Sequence, residues 1–309
     1  MARHFLSLRD FSTGEINKLI DLALDIKVNP SKYAQVLSGK CVGLFFEKPS
    51  LRTKASFYIG SLQLGGQSIY YSPDEVQLGL REKIADVART SSRFMDAAVL
   101  RTFSHEKVLE FAKFSTIPVI NALSDLLHPS QTLGDLITMK ELKGSIEKLK
   151  VAYVGDANNV CNSLMDAFSI LGGILYVAAP KGYQPDKKML DKTKSYCAKS
   201  GAQIIITASI EEAAKMSDVL YTDVWVSMGQ EKEKAKKKKI FKNFQINDKL
   251  LKLAKKDCLV MHCLPAHRGE EITDSAMESK NSVVFLQAEN RLYAAKAILT
   301  YVFNADNHR

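Results

Sequence analysis

The first segment that could carry chemistry is Ser50-Leu51-Arg52-Thr53, which lies between a short apolar run and an amphipathic run. Ser50 is a favourable N-cap, so the free N–H groups of a first helical turn and the helix dipole would create an anion site. The two hydroxyls and the Arg52 guanidinium would add donors and charge suited to phosphate. Taken alone, the segment is equally consistent with a capped helix carrying a solvated arginine.

Two further segments place polar side chains downstream of short apolar runs. Arg101 follows the run 96–100. His128 and Gln131 follow the run 117–120. A neutral histidine and an amide can hydrogen-bond a carbonyl and an amide group, which a site for phosphate alone would not require. Taken alone, Arg101 could be an ordinary surface arginine and His128 an ordinary buried histidine. However, the carboxyl ends of the strands in one parallel sheet lie along the same edge, so Arg52, Arg101 and His128 would lie close together there.

The second half of the chain also carries polar segments after apolar runs. Gly155-Asp156-Ala157-Asn158-Asn159 stands where a dinucleotide fingerprint would stand, yet the G-x-G-x-x-G glycines are missing. A dinucleotide-dependent oxidoreductase is therefore disfavoured, and the asparagine pair becomes a candidate for holding a polar ligand. Further on, Asp223 and Ser227 place a carboxylate and a hydroxyl four residues apart, beside a glycine that permits a flexible loop.

The segment His262-Cys263-Leu264-Pro265-Ala266-His267 raises two other possibilities, a zinc site and a thiolate nucleophile. A single C-x-x-x-H pair falls short of the four ligands that zinc needs, so no metal is expected. No covalent step is required if the substrate is an already activated phosphate ester. We therefore expect Cys263 to bind and orient a substrate rather than to attack it.

The elements that must position these residues alternate between short apolar runs and longer amphipathic runs. The runs that predict strands are 41–46, 68–71, 96–100, 117–120, 149–154, 174–178, 203–206, 218–221, 258–261 and 283–286. The runs that predict helices are 16–26, 51–63, 82–94, 104–114, 131–142, 159–171, 186–199, 248–255 and 288–303. Continuous apolar strands joined by helices indicate parallel sheets covered on both faces. The sequence thus predicts an α/β fold of two doubly wound domains, residues 1–140 completed by a C-terminal helix at 287–309, and residues 141–286.

Length and composition agree with this organisation and exclude several classes of protein. A chain of 309 residues with 46% hydrophobic residues can fill two cores, and no apolar run approaches the roughly 20 residues that a bilayer requires. Five scattered cysteines and the absence of a signal-peptide pattern predict a cytoplasmic protein.

Of the net charge of +9, more than half lies in 231–242, which holds seven lysines and two glutamates. This run predicts a solvated, mobile loop; without interleaved aromatic residues, nucleic-acid binding is the weaker interpretation.

Five motifs in this chain together resemble the aspartate/ornithine carbamoyltransferase family, over nearly the whole length from Phe46 to Arg291. They are S-L-R-T-K at 50–54, H-P-S-Q at 128–131, G-D-A-N-N at 155–159, D-V-W-V-S-M-G at 223–229 and H-C-L-P at 262–265. The resemblance is nearer to the ornithine-specific members, because aspartate-specific members lack the S-M-G loop and have H-P-L-P in place of H-C-L-P.

The resemblance implies a carbamoyl phosphate site in the first domain. The residues that would bind carbamoyl phosphate are Ser50, Leu51, Arg52, Thr53, Gln77, Arg101, His128, Gln131 and Arg291. Gln77 would be contributed by a neighbouring subunit. Leu51 and Lys54 replace the family's usual threonine and arginine, and Ser130 replaces a frequent cysteine. The segment 80–83 also departs from the family pattern, which bears on the contribution expected of Gln77.

For the second domain, the resemblance implies an ornithine site. The residues that would bind ornithine are Asn159, Asp223, Ser227, Met228, Cys263 and Leu264. Arg101, His128 and Cys263 would be the catalytic residues. The implied reaction transfers a carbamoyl group from carbamoyl phosphate to the δ-amino group of L-ornithine, giving L-citrulline and phosphate. It belongs to arginine metabolism, and its direction, arginine biosynthesis or degradation, stays open at this stage. No cofactor, metal, membrane or nucleic acid is implied, and the chain would form a homotrimer.

Two related activities stay open at this stage, the carbamoylation of putrescine and of N-acylornithine. The pairing of Asp223 with Ser227 and Met228 favours a free α-amino acid. Putrescine has no carboxylate to place, and an acylated amine has lost its charge.

Overall fold

The structure is a computed structural model that describes residues 2–226 and 231–304, apart from the side chains of Val76 and Glu231. The chain divides into two compact units. Unit 1 comprises Met1–Glu141 and Glu289–Arg309, and unit 2 comprises Leu142–Ala288.

Unit 1 is built on a parallel sheet with the strand order β2-β1-β3-β4. The strands are β1 (Cys41–Phe46), β2 (Gln67–Tyr71), β3 (Ala97–Arg101) and β4 (Val119–Leu123). The helices of this part of the chain are α1 (Thr13–Val28), α2 (Leu51–Gln63), α3 (Pro73–Val76), α4 (Ile84–Phe94), α5 (His105–Phe114) and α6 (Pro129–Lys143), with single 3₁₀ turns at Leu8–Asp10 and Pro30–Tyr33.

Burial explains why the sheet of unit 1 is parallel and why its central strands are so apolar. Every residue of β3 and β4 is buried, whereas the edge strand β2 is half exposed. Strands buried on both faces need helices above and below, and the helical crossovers make the strands parallel. The connection after β1 leads to β2 on one side of the sheet, and the connection after β3 leads to β4 on the other side. These two connections diverge, so a crevice opens between them at the carboxyl ends of β1 and β3.

Unit 2 repeats this architecture with five parallel strands in the order β7-β6-β5-β8-β9. The strands are β5 (Lys150–Val154), β6 (Ile174–Ala178), β7 (Gln203–Thr207), β8 (Val219–Thr222) and β9 (Leu259–His262). The helices are α7 (Asn159–Leu171), α8 (Lys187–Ser200), α9 (Ile210–Ala214), α10 (Lys234–Phe241), α11 (Asp248–Leu251) and α12 (Asp274–Met277), with a 3₁₀ turn at Glu231–Glu233. The order of the strands reverses between β5 and β8, which places the corresponding crevice after these two strands.

The predicted fold class, α/β with two doubly wound parallel sheets covered by helices, is confirmed. The strand predicted at 283–286 is wrong, because Val284 begins the final helix, α13 (Val284–Asn304). Only Ser282 forms an isolated bridge to β9, and the Gln287 N–H already donates to the Val283 carbonyl in a helical bond. Apolar periodicity cannot separate a short buried strand from the buried start of a helix. Among the described helices, including this one of 21 residues, none is long and apolar enough to cross a bilayer.

The helix predicted at 248–255 is also shorter than expected. α11 ends at Leu251, and the amides of Leu253 and Ala254 bond the carbonyls three residues earlier. The chain therefore closes in tight turns instead of propagating an α-helix.

The basic run 231–242 is wrongly predicted to be a solvated loop. It forms a 3₁₀ turn followed by α10, in which Lys237 and Phe241 are buried. The ammonium of Lys237 lies 2.6 Å from the carboxylate of Asp156, which follows β5. Phe241 packs against the rings of Tyr183 and Trp225. One lysine of the run is thus a structural member of unit 2, and the flanking lysines face solvent.

We expect removal of the Lys237 charge to loosen α10. Replacing Lys237 with Met leaves the Asp156 carboxylate partly buried without its cation, which typically costs about 3 kcal/mol or more. Lys239→Met changes an exposed position in the same helix and is the matched control. Thermal unfolding and amide hydrogen exchange across α10 measure the difference; equal stabilities for the two variants would contradict a stabilising role for the pair.

Candidate functional site

Three strands of unit 1 end beside the residues that the sequence singled out. Ser50, Arg52 and Thr53 lie at the start of α2, in the connection that follows β1. Arg101 is the last residue of β3. His128 directly precedes α6. The carboxyl ends of parallel strands meet at one sheet edge, so these side chains share the crevice of unit 1.

The amino terminus of α2 has the geometry expected of an anion site. The Ser50 hydroxyl caps the helix by accepting a hydrogen bond from the Thr53 N–H at 3.2 Å. The buried Thr53 hydroxyl in turn accepts from Nη2 of Arg291 at 2.6 Å. The side chain of Leu51 is 78% exposed, so this residue can offer a ligand its backbone N–H but not its side chain.

Arg291 reaches this position because α13 packs closely on α6. A Cβ at Gly134 would lie 3.3 Å from Cγ of Arg291 and 3.4 Å from its Cα and backbone N. The absence of a side chain at Gly134 therefore permits the approach that brings Arg291 to Thr53. The Asn290 side chain donates to Thr138 and Glu141 of α6 and fixes the register of this contact.

The cations of unit 1 lie near one another in a buried setting. Arg101 is 5% exposed, and burial together with the charges of Arg291 and Arg52 lowers the pKa of its guanidinium. Its Nε has no hydrogen-bond partner among the described residues. A buried cation with unused donor capacity is suited to binding an anion.

His128 is neutral in this environment. Burial lowers the pKa of its imidazole well below the usual value, and the charges of Arg291 and Arg101 add to the effect. Its Nδ1 lies 3.4 Å from the hydroxyl of Ser130. A neutral imidazole can donate one hydrogen bond to a carbonyl oxygen without adding a further charge. Gln131, three residues on, is almost fully buried and donates through Nε2 to Asp135.

Lys48 is a member of this cluster that the sequence analysis did not select. It is 7% exposed and its ammonium lies 4.5 Å from the centre of the Phe103 ring. Burial, reinforced by the charge of Arg101, lowers the pKa of Lys48 to about 8. The sequence could have indicated Lys48 by its position, because a cation between β1 and Ser50 lies at the carboxyl end of a strand, where ligands bind.

Gln77 does not join these side chains in the described part of the chain. It lies at the end of α3 with a left-handed φ of 32°, and its exposed amide donates to the Asp74 carbonyl. The contribution expected of it in a neighbouring subunit stays a prediction.

In unit 2, the carboxylate of Asp223 lies at the centre of a polar cluster after β8. One oxygen accepts hydrogen bonds from the Cys263 thiol at 2.9 Å and from the Val224 N–H at 2.8 Å. The other oxygen accepts from the side-chain amide of Asn158 at 2.6 Å. The structure thus brings together three segments that follow β5, β8 and β9.

The backbone at Cys263 and Leu264 is held by a buried histidine. Leu264 has a φ of 60°, a conformation that costs an L-residue about 1–2 kcal/mol. Its N–H donates to Nδ1 of His262 at 2.9 Å. The imidazole proton therefore lies on Nε2, which donates to Glu271 at 3.0 Å. The His262–Glu271 pair is fully buried, so the imidazole that accepts from the Leu264 N–H is held in a fixed position and helps to maintain this strained conformation.

The two neighbouring asparagines, Asn158 and Asn159, have different roles. The Asn158 side chain caps α7 by accepting from the amides of Val160 and Cys161, so Asn158 is a structural residue. Asn159 is the first residue of the helix, with a partly exposed side chain. Ser227 and Met228 lie outside the described residues.

Within residues 2–226 and 231–304, two groups of side chains hold potential metal-ligating atoms within 4.8 Å of one another. They are Asp223, His262 and Cys263, and His267, Glu270 and Glu271. In the first group, both imidazole nitrogens of His262 are engaged by Leu264 and Glu271, and the thiol donates to Asp223. In the second, Glu270 pairs with Lys238, and Glu271 accepts from the backbone N–H of His267.

Two family profiles match the chain in succession. Residues 3–141 match the carbamoyl-P binding domain of aspartate/ornithine carbamoyltransferase. Residues 147–302 match the Asp/Orn binding domain of the same family.

Individual relatives match over nearly the full chain. The catabolic ornithine carbamoyltransferase of Thermoplasma acidophilum is 47% identical, covering 96% of this chain and 97% of its own length. The ornithine carbamoyltransferase of Methanocaldococcus jannaschii is 46% identical, with 97% and 99% covered.

Solved structures give the same result. The ornithine carbamoyltransferase of Pyrococcus furiosus superimposes with a TM-score of 0.93 at 46% identity, covering 96% of both chains. The anabolic enzyme of Campylobacter jejuni superimposes with a TM-score of 0.94 at 41% identity, covering 99% of this chain and 100% of its own. With its two sheets, its two polar crevices and these matches, the chain belongs to the aspartate/ornithine carbamoyltransferase family and is a carbamoyltransferase.

Proposed function

We propose that this enzyme transfers the carbamoyl group of carbamoyl phosphate to the δ-amino group of L-ornithine, producing L-citrulline and phosphate. The observation that carries the proposal is the cationic cluster of unit 1, in which the buried Arg101 and Arg291, together with Arg52, lie near enough to a buried, neutral His128 for their charges to lower its pKa. Cations and the free amides of α2 suit a phosphate dianion, and the neutral imidazole suits a carbonyl oxygen.

In this proposal, the phosphate binds at the amino terminus of α2. Ser50 and Arg52 donate to it together with the Leu51 N–H, and Gln77 of a neighbouring subunit completes the site. Arg291 is already oriented by its 2.6 Å hydrogen bond to Thr53. The arginines also prepare phosphate to leave, because a paired dianion is a better leaving group than an unpaired one.

The carbamoyl group lies further into the same crevice. Arg101, His128 and Thr53 donate to its oxygen, and Gln131 binds its amino group. As the neutral δ-amine attacks the carbamoyl carbon, negative charge develops on that oxygen. Preorganised donors at such an oxygen typically lower the barrier by roughly 3 kcal/mol each. Exclusion of water protects the labile mixed anhydride from hydrolysis.

Ornithine is assigned to the polar cluster of unit 2. We propose that Asn159, Asp223, Ser227 and Met228 together hold the α-amino and α-carboxylate groups. Cys263 and Leu264 would lie beside the δ-amine. The surroundings of Asp223 support this assignment, because two neighbouring donors keep a carboxylate in place for an ammonium group. The Cys263 thiol is the donor in its bond to Asp223, which agrees with a binding role and not a nucleophilic one.

We further propose a role in arginine metabolism and a cytoplasmic homotrimer. All five cysteines are free thiols, which suits a reducing compartment. Large apolar side chains are exposed on α2, on the edge strand β2 and in the connection before α4. They are Leu51, Tyr58, Ile59, Leu62, Ile69 and Leu80. An apolar surface of this kind is typical of a subunit interface.

The proposed reaction is tested by citrulline formation from carbamoyl phosphate and ornithine with the purified protein. We expect ornithine to be preferred over both putrescine and N-acetylornithine, because N-acetylornithine lacks the α-ammonium group that Asp223 would pair with, and putrescine lacks the α-carboxylate that the site would hold. The ratio of kcat/KM for the three amines measures this preference. A higher value for putrescine or N-acetylornithine would overturn the assignment to ornithine.

Loss of a buried cation should abolish most of the activity and leave the fold intact. We expect Arg101→Met to lower kcat/KM for carbamoyl phosphate at least about 100-fold, since it removes donors from the developing oxyanion. Arg89→Met changes an exposed arginine on α4 that pairs with Asp86, and serves as the control. Near-normal turnover by a folded Arg101→Met protein would contradict the proposed site.

Anion binding should weaken in alkaline solution because of Lys48. Its pKa is lowered to about 8, so the lysine is charged at pH 7 and loses its proton as the pH rises through about 8. We expect the affinity for phosphonoacetamide, a stable analogue of carbamoyl phosphate, to decline between pH 7 and pH 9. Lys48→Arg keeps its charge across this range and should retain the affinity. Parallel declines in both proteins, measured by calorimetry, would rule out Lys48 as the titrating group.

A further inference from the structure

The orientation of the Gln131 amide is determined by a neighbouring carboxylate. Asp135 lies one helical turn further along α6, and its side chain is fully buried. Its Oδ1 accepts a hydrogen bond from Nε2 of Gln131 at 2.9 Å. The NH₂ group of Gln131, and not its oxygen, therefore faces Asp135, which is the arrangement that an acceptor-only carboxylate requires.

This orientation leaves the oxygen of the Gln131 amide directed away from Asp135. Gln131 is 1% exposed, and its Oε1 is buried with no hydrogen-bond partner among the described residues. Leaving a buried acceptor unsatisfied is unfavourable, and such groups in native proteins often have a functional explanation.

The position of this acceptor points to a ligand. Gln131 lies three residues after His128 and three before Gly134, on which Arg291 packs. The arginines nearby are purely donors, and they match the oxygens of an acyl phosphate. An acceptor beside them matches a different group, one that carries hydrogen. The NH₂ of a carbamoyl group has that character, whereas the methyl of an acetyl group does not.

We infer that Asp135 is a positioning residue that selects carbamoyl phosphate over acyl phosphates. By fixing the Gln131 amide, it presents an oxygen to the substrate NH₂. If the amide were reversed, its own NH₂ would face the substrate NH₂, and the site would lose its preference. This inference rests on the proposed function and adds to it the origin of donor specificity.

The test uses two stable ligands that differ only at the group in question. Phosphonoacetamide ends in an amide NH₂, and acetonylphosphonate ends in a methyl group in the same place. Calorimetry gives both dissociation constants, and their ratio is the selectivity. For the wild-type protein we expect phosphonoacetamide to bind more tightly. In Asp135→Asn the side chain can both accept and donate, so the Gln131 amide loses its fixed orientation and the ratio falls about tenfold.

Three further variants separate positioning from a general structural effect. Asp135→Glu keeps an acceptor-only carboxylate and should retain more of the selectivity than Asp135→Asn. Gln131→Met removes the acceptor, so adding Asp135→Asn to it should change the ratio no further. Asp166→Asn alters a carboxylate on α7 that is equally buried and should leave the ratio at the wild-type value. If Asp135→Asn does not fold, Asp135→Ser replaces it, because a hydroxyl also both donates and accepts.

The outcomes distinguish this inference from the proposed function. Wild-type selectivity that persists in a folded Asp135→Asn or Asp135→Ser protein overturns the inference, as does an equal loss in Asp166→Asn. So does a further loss when Asp135→Asn is combined with Gln131→Met. Absence of citrulline formation by the wild-type protein, with neither ligand bound, would instead overturn the proposed function.

Discussion

Burial of several like charges in one crevice is the constraint on which unit 1 depends. Arg101 lies close enough to Arg291 and Arg52 for their charges to lower its pKa, and burial adds to the effect. Withdrawal from water and mutual repulsion both oppose such an arrangement. A phosphate dianion would offset both terms, so the free energy that disfavours the cluster favours an anionic ligand. Burial, reinforced by the same cations, lowers the pKa of His128 and keeps it neutral, so it can donate a hydrogen bond without adding charge.

Close packing of helices, and not only pairing with counterions, keeps these charged side chains near one another. Gly134 allows α13 to approach α6, and that approach delivers Arg291 to Thr53 from 238 residues away in sequence. Unit 2 uses the same topology with the opposite charge. There a carboxylate, Asp223, lies where the strand order reverses, and it is held by Asn158 and Cys263. The candidate anion site and the candidate cation site thus share one type of architecture and differ in the side chains at the strand ends.

Several features of the fold were beyond what periodicity could predict. The lysine-rich run is strongly polar, and only the contact with Asp156 shows why Lys237 is buried. Val284 and its neighbours are apolar enough for a strand, yet a single bridge to β9 precedes a helix. Lys48 and Asp135 have no pattern that marks them, because their importance comes from the residues that the fold places beside them. Each of these cases depends on partners that are distant in sequence or on a neighbour one turn away.

The sequence by itself determined the class of fold, since continuous apolar strands alternating with amphipathic helices are compatible only with covered parallel sheets. It also identified the candidate segments for the chemistry, because the five motifs stand at strand ends, where ligands bind in folds of this kind. Only the tertiary structure decided how those side chains are charged and oriented. Burial and neighbouring cations set the proton affinity of His128 and Lys48, and a buried carboxylate sets the direction of the Gln131 amide. Proton affinities and hydrogen-bond directions depend on distances in space, which the order of residues along the chain does not contain.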